Sequence, residues 1–548
     1  MQYLKTEKKR IVNEEGCQVI LKGYGAGNWM VQEAFLFGTG GFSGDFKSFV
    51  RATGMDRTRT IHQVLQETCG TAYAESFWLR FYRNYLNEND IRHLHEMGFN
   101  SIRLPFNARA FLKEEPEIIF DEDVFSMIDE LLDVCEKYNI YAILDMHAAY
   151  AGQSTVGCDD GVDNQPHMFT DAEGRERTIL LWKTIAERYR DRACVAGYEI
   201  LNEPLALPFT DPLIPELVSF YDEVIREIRS VDKKHIIFLQ GNRFAKVSDL
   251  FVKDMDPQYH NWVLTYHIYE NLPDLRILGY MLEERERLNV PVWIGETGGS
   301  SRWMTVLYEM LEEYGIGFNV WCHKAVARPD APTLLTYELP EGFEKIRAYA
   351  MEGKGKPSFS DCKAIFDACI ENVRFENCSV HKNEALAILR TPPVSVPAIG
   401  FDVLPGKGKS YSGTYPYASF SGYRAEAGMH MVLDDGKRPY ETGFKAISFE
   451  KVPKYGDYNR LILQLDSGEF ACYTVRNVQV QVSVSLTLRA VCESKIRISF
   501  GSVEKTVRIQ PSEQYETLHL AVLSGFGTLN VRIECTDGSV RLKTVAFS

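Results

Sequence analysis

Between residues 19 and 324 two apolar patterns alternate along the chain, and that alternation restricts the fold more than any other feature. Eight short runs, 19–25, 100–105, 140–147, 195–203, 235–241, 262–269, 290–296 and 316–321, are mostly continuous in apolar character. Continuous runs of this length suit parallel strands covered on both faces, whereas half-exposed strands alternate. Amphipathic helical stretches lie between them. Over 123–138, Phe125, Ile128, Leu131, Leu132 and Cys135 share one face; over 215–230, Leu217, Phe220, Tyr221, Val224 and Ile228 do, with Pro215 suited to the first turn. An eighth helix is expected at 361–375. Eight such repeats predict an α/β fold, a (β/α)8 TIM barrel over 1–378, with extra helices in the oversized first crossover, 26–99.

After Cys378 the pattern changes. Residues 379–410, with Thr391-Pro-Pro-Val-Ser-Val-Pro397 and Pro405-Gly-Lys-Gly-Lys-Ser410, read as a linker. Residues 411–548 carry short alternating strands at 445–452, 460–466, 471–476, 480–491, 495–500, 504–509, 517–522, 527–534 and 540–547. These predict a second, all-β domain, a jelly-roll-like antiparallel sandwich. All seven tryptophans lie at or before Trp321, so aromatic sugar contacts on the sandwich would fall to Tyr411, Tyr415, Tyr417 and Tyr423.

Composition narrows the partners. The formal net charge is 61 − 75 = −14, which argues against nucleic acid or an anionic membrane surface, both of which call for a basic face. No stretch approaches the ~18 apolar residues of a membrane span. The twelve cysteines are scattered and none pairs at the spacing of a zinc or redox motif, so free thiols in a reducing compartment are expected. No apolar run follows the basic residues of 1–10, which points to a cytoplasmic location, or to secretion where a leader has already been removed. The sequence carries no signal of oligomeric state.

In a barrel of this kind the chemistry sits at the C-terminal strand tips. Those tips supply Arg103, His147, Asn202 with Glu203, His267 with Tyr269, Glu296, and Trp321 with His323. Glu203 ends an apolar run stopped by Pro204. Burial there disfavours its charged form and makes it a general acid that still holds its proton near neutrality. Two carboxylates across a cleft are what glycosidic cleavage needs, one to protonate the leaving oxygen and one to attack or to activate water. Arg103 near Glu296 would keep that carboxylate ionised while Glu203 stays protonated, and the Trp321 indole suits a pyranose face. Asp145 with His147 could seed a metal site, but no further ligands follow at suitable spacing, so no metal and no cofactor are expected. Gly23-Tyr-Gly-Ala-Gly27 opens no clear helix, and Gly38-Thr-Gly-Gly-Phe-Ser-Gly44 lacks the lysine and hydroxyl of a phosphate loop.

Six motifs in strand order resemble glycoside hydrolase family 5, a cellulase-like group of retaining β-glycosidases. They are Ile102-Arg-Leu-Pro105, Leu144-Asp-Met-His147, Leu201-Asn-Glu-Pro204, His267-Ile-Tyr269, Ile294-Gly-Glu-Thr-Gly298 and Asn319-Val-Trp321, and the likeness covers residues 15–375. Leu21-Lys-Gly-Tyr-Gly-Ala-Gly-Asn-Trp29, with Glu33, and His147-Ala-Ala-Tyr-Ala-Gly-Gln153 look most like the exo-β-1,3-glucanase and glucosidase branch. The resemblance implies a β-glucan or β-glucoside substrate, Glu296 as nucleophile and Glu203 as acid and base. It also implies Asn202 on the sugar 2-hydroxyl, Tyr269 on Glu296, Glu33 on sugar hydroxyls, and His147 and His267 lining the cleavage subsite. Asn28, where a second glycine is usual, and the insert 35–78 depart from that branch and leave β-mannan or glycolipid open as substrates. A metal-dependent hydrolase built on His147 and His267, or a barrel that binds sugar without cleaving it, are the remaining readings. In the second domain, Gly422-Tyr-Arg-Ala-Glu426 and Asp466-Ser-Gly-Glu-Phe-Ala-Cys-Tyr473 resemble family 6 or 35 carbohydrate-binding modules.

Overall fold

The computed structural model describes residues 1–39, 55–269, 273, 275–299, 301–327, 333–403, 410–415, 423–424, 427–434, 460–479, 481–501 and 503–548. They form two compact units, one of Met1–Tyr269, Met281–Gly298 and Ile316–His381, the other of Glu270–Tyr280, Gly299–Gly315 and Lys382–Ser548.

The first unit is a closed parallel barrel. Its strands are β1 (Lys22–Gly25), β2 (Ser101–Asn107), β3 (Tyr141–Ala148), β4 (Val195–Glu199), β5 (Ile236–Gln240), β6 (Trp262–Tyr269), β7 (Val292–Gly298) and β8 (Gly317–Trp321). They pair in sequence order and close through β8 on β1, with Trp321 opposite Gly25. All eight expected runs become strands, largely buried on both faces as parallel strands covered by helices are. One end differs. The run expected to stay extended to 203 leaves the sheet after Glu199, and Glu203 and Leu205 have left-handed φ of 42° and 48°. There the Asn202 N–H bonds the Met146 carbonyl (3.1 Å) and the Glu203 N–H bonds the Gln240 side chain (2.7 Å), replacing ladder bonds.

The helices begin where capping chemistry permits. Asp121 caps Glu122–Lys137 by accepting from the Val124 N–H, and Ile214–Val231 carries Pro215 in its first turn. The last barrel helix runs Phe359–Asn372 rather than 361–375, capped by Ser358. The first crossover carries Ala34–Phe37, Thr58–Cys69, Thr71–Tyr85 and Glu88–Met97, as expected. In Thr71–Tyr85, Phe77, Phe81 and Tyr85 recur every fourth residue and stack at 5.7 and 5.5 Å.

The second unit contains two antiparallel sheets over one core. One sheet orders His430–Leu433, Leu461–Asp466, Ser539–Phe547, Gln481–Ala490 and Glu516–Ser524; the other orders Tyr411–Ser412, Phe470–Val478, Gly527–Asp537, Ser494–Phe500 and Val503–Ile509. The stretch 379–410, expected to be a linker, instead supplies the helix Lys382–Ile388 and the strand Val394–Pro397, which pairs with Ser539–Phe547. Val394, Val396, Ile399 and Phe401 are buried in the sandwich core, so apolar alternation outweighs the prolines that suggested a connection. Tyr423 is no sugar platform: it is fully buried and donates to the Ile399 carbonyl. Tyr411 packs edge-on against Phe401 and Tyr415 stacks on His430 at 4.1 Å. Tyr417 and the expected strand 445–452 lie outside the described residues. The twelve cysteines are unpaired, and no helix among the described residues is long and apolar enough to cross a membrane.

Candidate active site

Arg103, fully buried on β2, is the hub. Its Nε donates to Glu199 Oε2 (2.5 Å), Nη1 to Glu296 Oε1 (2.7 Å) and Nη2 to Asn202 Oδ1 (2.8 Å), and Nη2 stands 3.0 Å from Asp145 Oδ2. One guanidinium thus faces three carboxylates from three other strands. Its planar fork of donors fits such a set, which a lysine point charge would not. Burial pushes the Asp145 carboxyl up to about 7 and raises Glu199, in each case against the pull of Arg103.

Glu203 lies past the end of β4, and burial raises its pKa, opposed by His147, Lys246 and Arg103. Its Oε1 is 2.8 Å from His267 Nδ1, and the same nitrogen is 3.4 Å from Glu296 Oε2. The Tyr269 hydroxyl donates to Glu296 Oε2 at 2.6 Å; burial and the neighbouring Glu296 keep it a phenol. Glu203, His267 and Glu296 each bring one ligand-capable atom within 4.8 Å of the others.

His147 Nδ1 bonds Asp145 Oδ2 (2.8 Å), and its ring lies parallel to the Trp321 indole, 5.2 Å between centroids and 4° between planes. Burial pulls both His147 and His267 down to about 4, so each is neutral near pH 7 and donates through one nitrogen only. Trp321 Nε1 donates to Glu33 Oε1 (3.2 Å), which brings the opening Gly-rich segment to the cleft. A Cβ on Gly25 or Gly27 would stand 2.7 or 2.8 Å from the Trp321 ring. Those glycines make room for the indole, which accounts for the run without any phosphate.

The wall beside this centre is the loop after β3. Asp160, at φ 53°, accepts from Asn107 Nδ2 (2.8 Å) and the Arg59 N–H (2.6 Å) and pairs with Arg109, while Arg57 donates to the Gly161 carbonyl (2.9 Å). Gln153 closes its base by donating to the His147 and Asn202 carbonyls, each at 2.8 Å.

All nine residues expected at the site, Glu33, Arg103, His147, Asn202, Glu203, His267, Tyr269, Glu296 and Trp321, are joined in this bonded set. His323, the ninth strand-tip residue, is not: its Nε2 meets Asp90 Oδ1 (3.0 Å), beside Lys324. Sequence reasoning missed Glu199 and Gln240. A lone carboxylate inside an otherwise apolar strand is the signal for the first, and a polar amide at the tip of strand five is the signal for the second.

The Asp145 shift gives a testable sign. The unfolded chain releases this proton near 3.8 and the folded one near 7, so the folded state binds more protons in between and stability falls as pH rises through that window. Relative to Asp145→Asn, the wild type should lose roughly 1–3 kcal/mol between pH 5 and 7.5. Urea unfolding at both pH values measures the double difference, and a zero or reversed difference would contradict the buried proton.

A family model for cellulase, glycosyl hydrolase family 5, matches residues 63–326. A beta-xylosidase of Phanerodontia chrysosporium is 33% identical over 269 residues, covering 49% of this chain and 52% of that protein. Endoglucanase C of Acetivibrio thermocellus is 28% identical, over 34% of this chain and 50% of that protein. A glucan 1,3-beta-glucosidase of Candida oleophila is 27% identical, over 46% of this chain and 58% of that protein. The chain therefore spans about half the length of the curated relatives it matches. Over residues 63–326, an eight-stranded barrel in large part, this chain is thus similar to glycosyl hydrolase family 5.

Proposed function

We propose that the chain is a retaining β-glycoside hydrolase that cleaves O-glycosidic bonds of a β-glucan or β-glucoside by double displacement. The observation that carries this reading is the pair of carboxylates: an oxygen of Glu203 and one of Glu296 lie within 4.8 Å of each other. Retaining glycosidases hold their two carboxyls ~5–5.5 Å apart, and inverting ones leave ~6.5–9.5 Å for a water.

The roles follow from the hydrogen bonds. Glu296, fixed by Arg103 and Tyr269, attacks the anomeric carbon as Glu203 gives its proton to the departing oxygen. The glycosyl–Glu296 ester forms as the glycosidic C–O bond breaks. Glu203, now a carboxylate, takes a proton from the water that attacks the ester and regenerates both groups. Asn202 accepts from Arg103 through Oδ1, so its Nδ2 faces His147 Nε2 (3.3 Å) with one hydrogen. The other hydrogen is available to the sugar 2-hydroxyl. In the sandwich, the resemblance to family 6 and 35 modules is the support for sugar binding, with Tyr411 and Tyr415 as its aromatic candidates.

Hydrolysis should be screened over β-1,3-, β-1,4- and β-1,6-glucans, mannan, aryl β-glucosides, aryl β-xylosides and glucosylceramide. The xylosides enter the panel because of the beta-xylosidase relative. Proton NMR of the first product should show the β anomer before mutarotation, with full activity kept in EDTA. An α anomer at early times would overturn the double displacement, and activity lost to the chelator would turn the Glu203, His267 and Glu296 set into a metal site.

A further inference from the structure

Gln240, at the tip of β5, touches four groups of the site and is itself fully buried. Its Oε1 accepts from the Glu203 N–H (2.7 Å), and its Nε2 lies 2.6 Å from Glu199 Oε1, 3.1 Å from His267 Nε2 and 3.5 Å from Asn202 Oδ1. The identity of its two side-chain ends is settled by chemistry. A backbone N–H only donates, so the atom facing the Glu203 N–H has to be the amide oxygen; a flipped amide would set two donors 2.7 Å apart. The NH2 end then only donates, to Glu199 Oε1 and His267 Nε2 at short range and to Asn202 Oδ1 at the outer limit. His267 Nε2 is therefore an acceptor, and the single proton of the neutral ring is on Nδ1. A Cβ on Gly295 would sit 3.2 Å from Glu199 Oε1 and 3.3 Å from His267 Nε2, so β7 backbone closes this corner.

We propose that Gln240 is a positioning residue which decides the oxygen of Glu203 that carries the acid proton. By making His267 an Nδ1–H donor, it fills Glu203 Oε1 with an incoming hydrogen bond. The carboxylic proton then resides on Oε2, and that oxygen is the one offered to the departing group. After proton transfer the same Nδ1–H stabilises the carboxylate that must act as base. Through its oxygen, Gln240 also holds the backbone of Glu203 in its left-handed conformation. The catalytic consequence rests on the retaining-hydrolase reading; the tautomer does not.

Nitrogen-15 NMR of the full chain labelled at histidine, with His267 assigned by its own replacement, should show Nδ1 protonated and Nε2 bare at neutral pH. Gln240→Glu offers His267 Nε2 an acceptor in place of a donor, so the ring should shift its proton to Nε2 and Glu203 Oε1 should lose its donor. In this variant kcat/KM on an alkyl β-glucoside, whose leaving group needs acid, should fall by ~10²-fold or more. On 2,4-dinitrophenyl β-glucoside, whose leaving group needs none, it should stay within about threefold of wild type. Gln240→Leu, which removes every one of these side-chain hydrogen bonds, should show the same split. Equal losses on both substrates, or an Nε2–H tautomer in the wild type, would overturn the proposal. If the wild type cleaves no β-glucoside, the functional reading fails and the tautomer alone decides this one; the same measurement decides it if neither variant folds.

Discussion

Glu296→Ala should lower turnover of β-glycosides by at least ~10⁴-fold if, as proposed, Glu296 forms the covalent intermediate. Azide should restore part of it on an activated aryl glycoside, entering the space the carboxylate vacates and attacking the anomeric carbon from that side. One displacement replaces two, so the glycosyl azide should have inverted configuration. Glu203→Ala supplies the mirror experiment. There Glu296 still forms the ester, azide attacks in the second step, and the glycosyl azide should keep the substrate's configuration. Opposite anomers from the two variants would fix both roles at once. Identical anomers, or no azide effect on Glu296→Ala, would sink the assignment. Neither result can be dismissed as unfolding, because removing Glu296 takes one of three carboxylates from around Arg103. That relieves like-charge crowding in a buried space, and stability should hold or rise while activity vanishes.

The barrel was legible in the sequence because its signal is redundant. Eight apolar runs, each followed by a helix or a long connection, have few other ways to bury two faces apiece. The site was legible because strand tips in such a barrel converge, so Arg103, His147, Glu203, His267, Glu296 and Trp321 could be chosen by position alone and found in one hydrogen-bonded set. Residues that act from inside a strand were harder to find. Glu199 and Asp145 look like interruptions of an apolar run until the guanidinium of Arg103 is seen between them. Gln240 has ordinary chemistry, and its importance lies in which atoms it faces, which only coordinates supply. The start of the sandwich was misplaced for a third reason. Prolines at 392, 393 and 397 resemble a linker, yet Val394 and Val396 alternate into the core between them.

Arg103 carries the largest expected effect on stability. Replacing it with methionine leaves Asp145, Glu199 and Glu296 buried and facing one another without their shared cation. Breaking a buried pair by removing one partner costs about 3–5 kcal/mol, and here one cation serves three acids. The loss should depend on pH in a defined direction. Without Arg103 the folded Asp145 and Glu199 carboxyls lose the main influence that lowers their pKa against desolvation. They hold protons further above their unfolded values, so the folded state binds more protons than the unfolded one over a wider window. Stability of Arg103→Met should then be nearest to wild type at about pH 5 and fall further behind towards pH 8, as followed by urea unfolding. Arg103→Lys should recover only part of the difference, because an ammonium cannot serve Glu199, Glu296 and Asn202 together from the positions of Nε, Nη1 and Nη2. A gap that narrows as pH rises would mean that the carboxylates are ionised without the arginine, and that some other group balances their charge. The same variant tests the link to catalysis. If Arg103 orients Glu296, Arg103→Lys should lower kcat on activated substrates, where ester formation is exposed, by more than its loss of stability alone removes folded protein. Folded fraction and turnover measured on one sample at pH 5.5 separate the two.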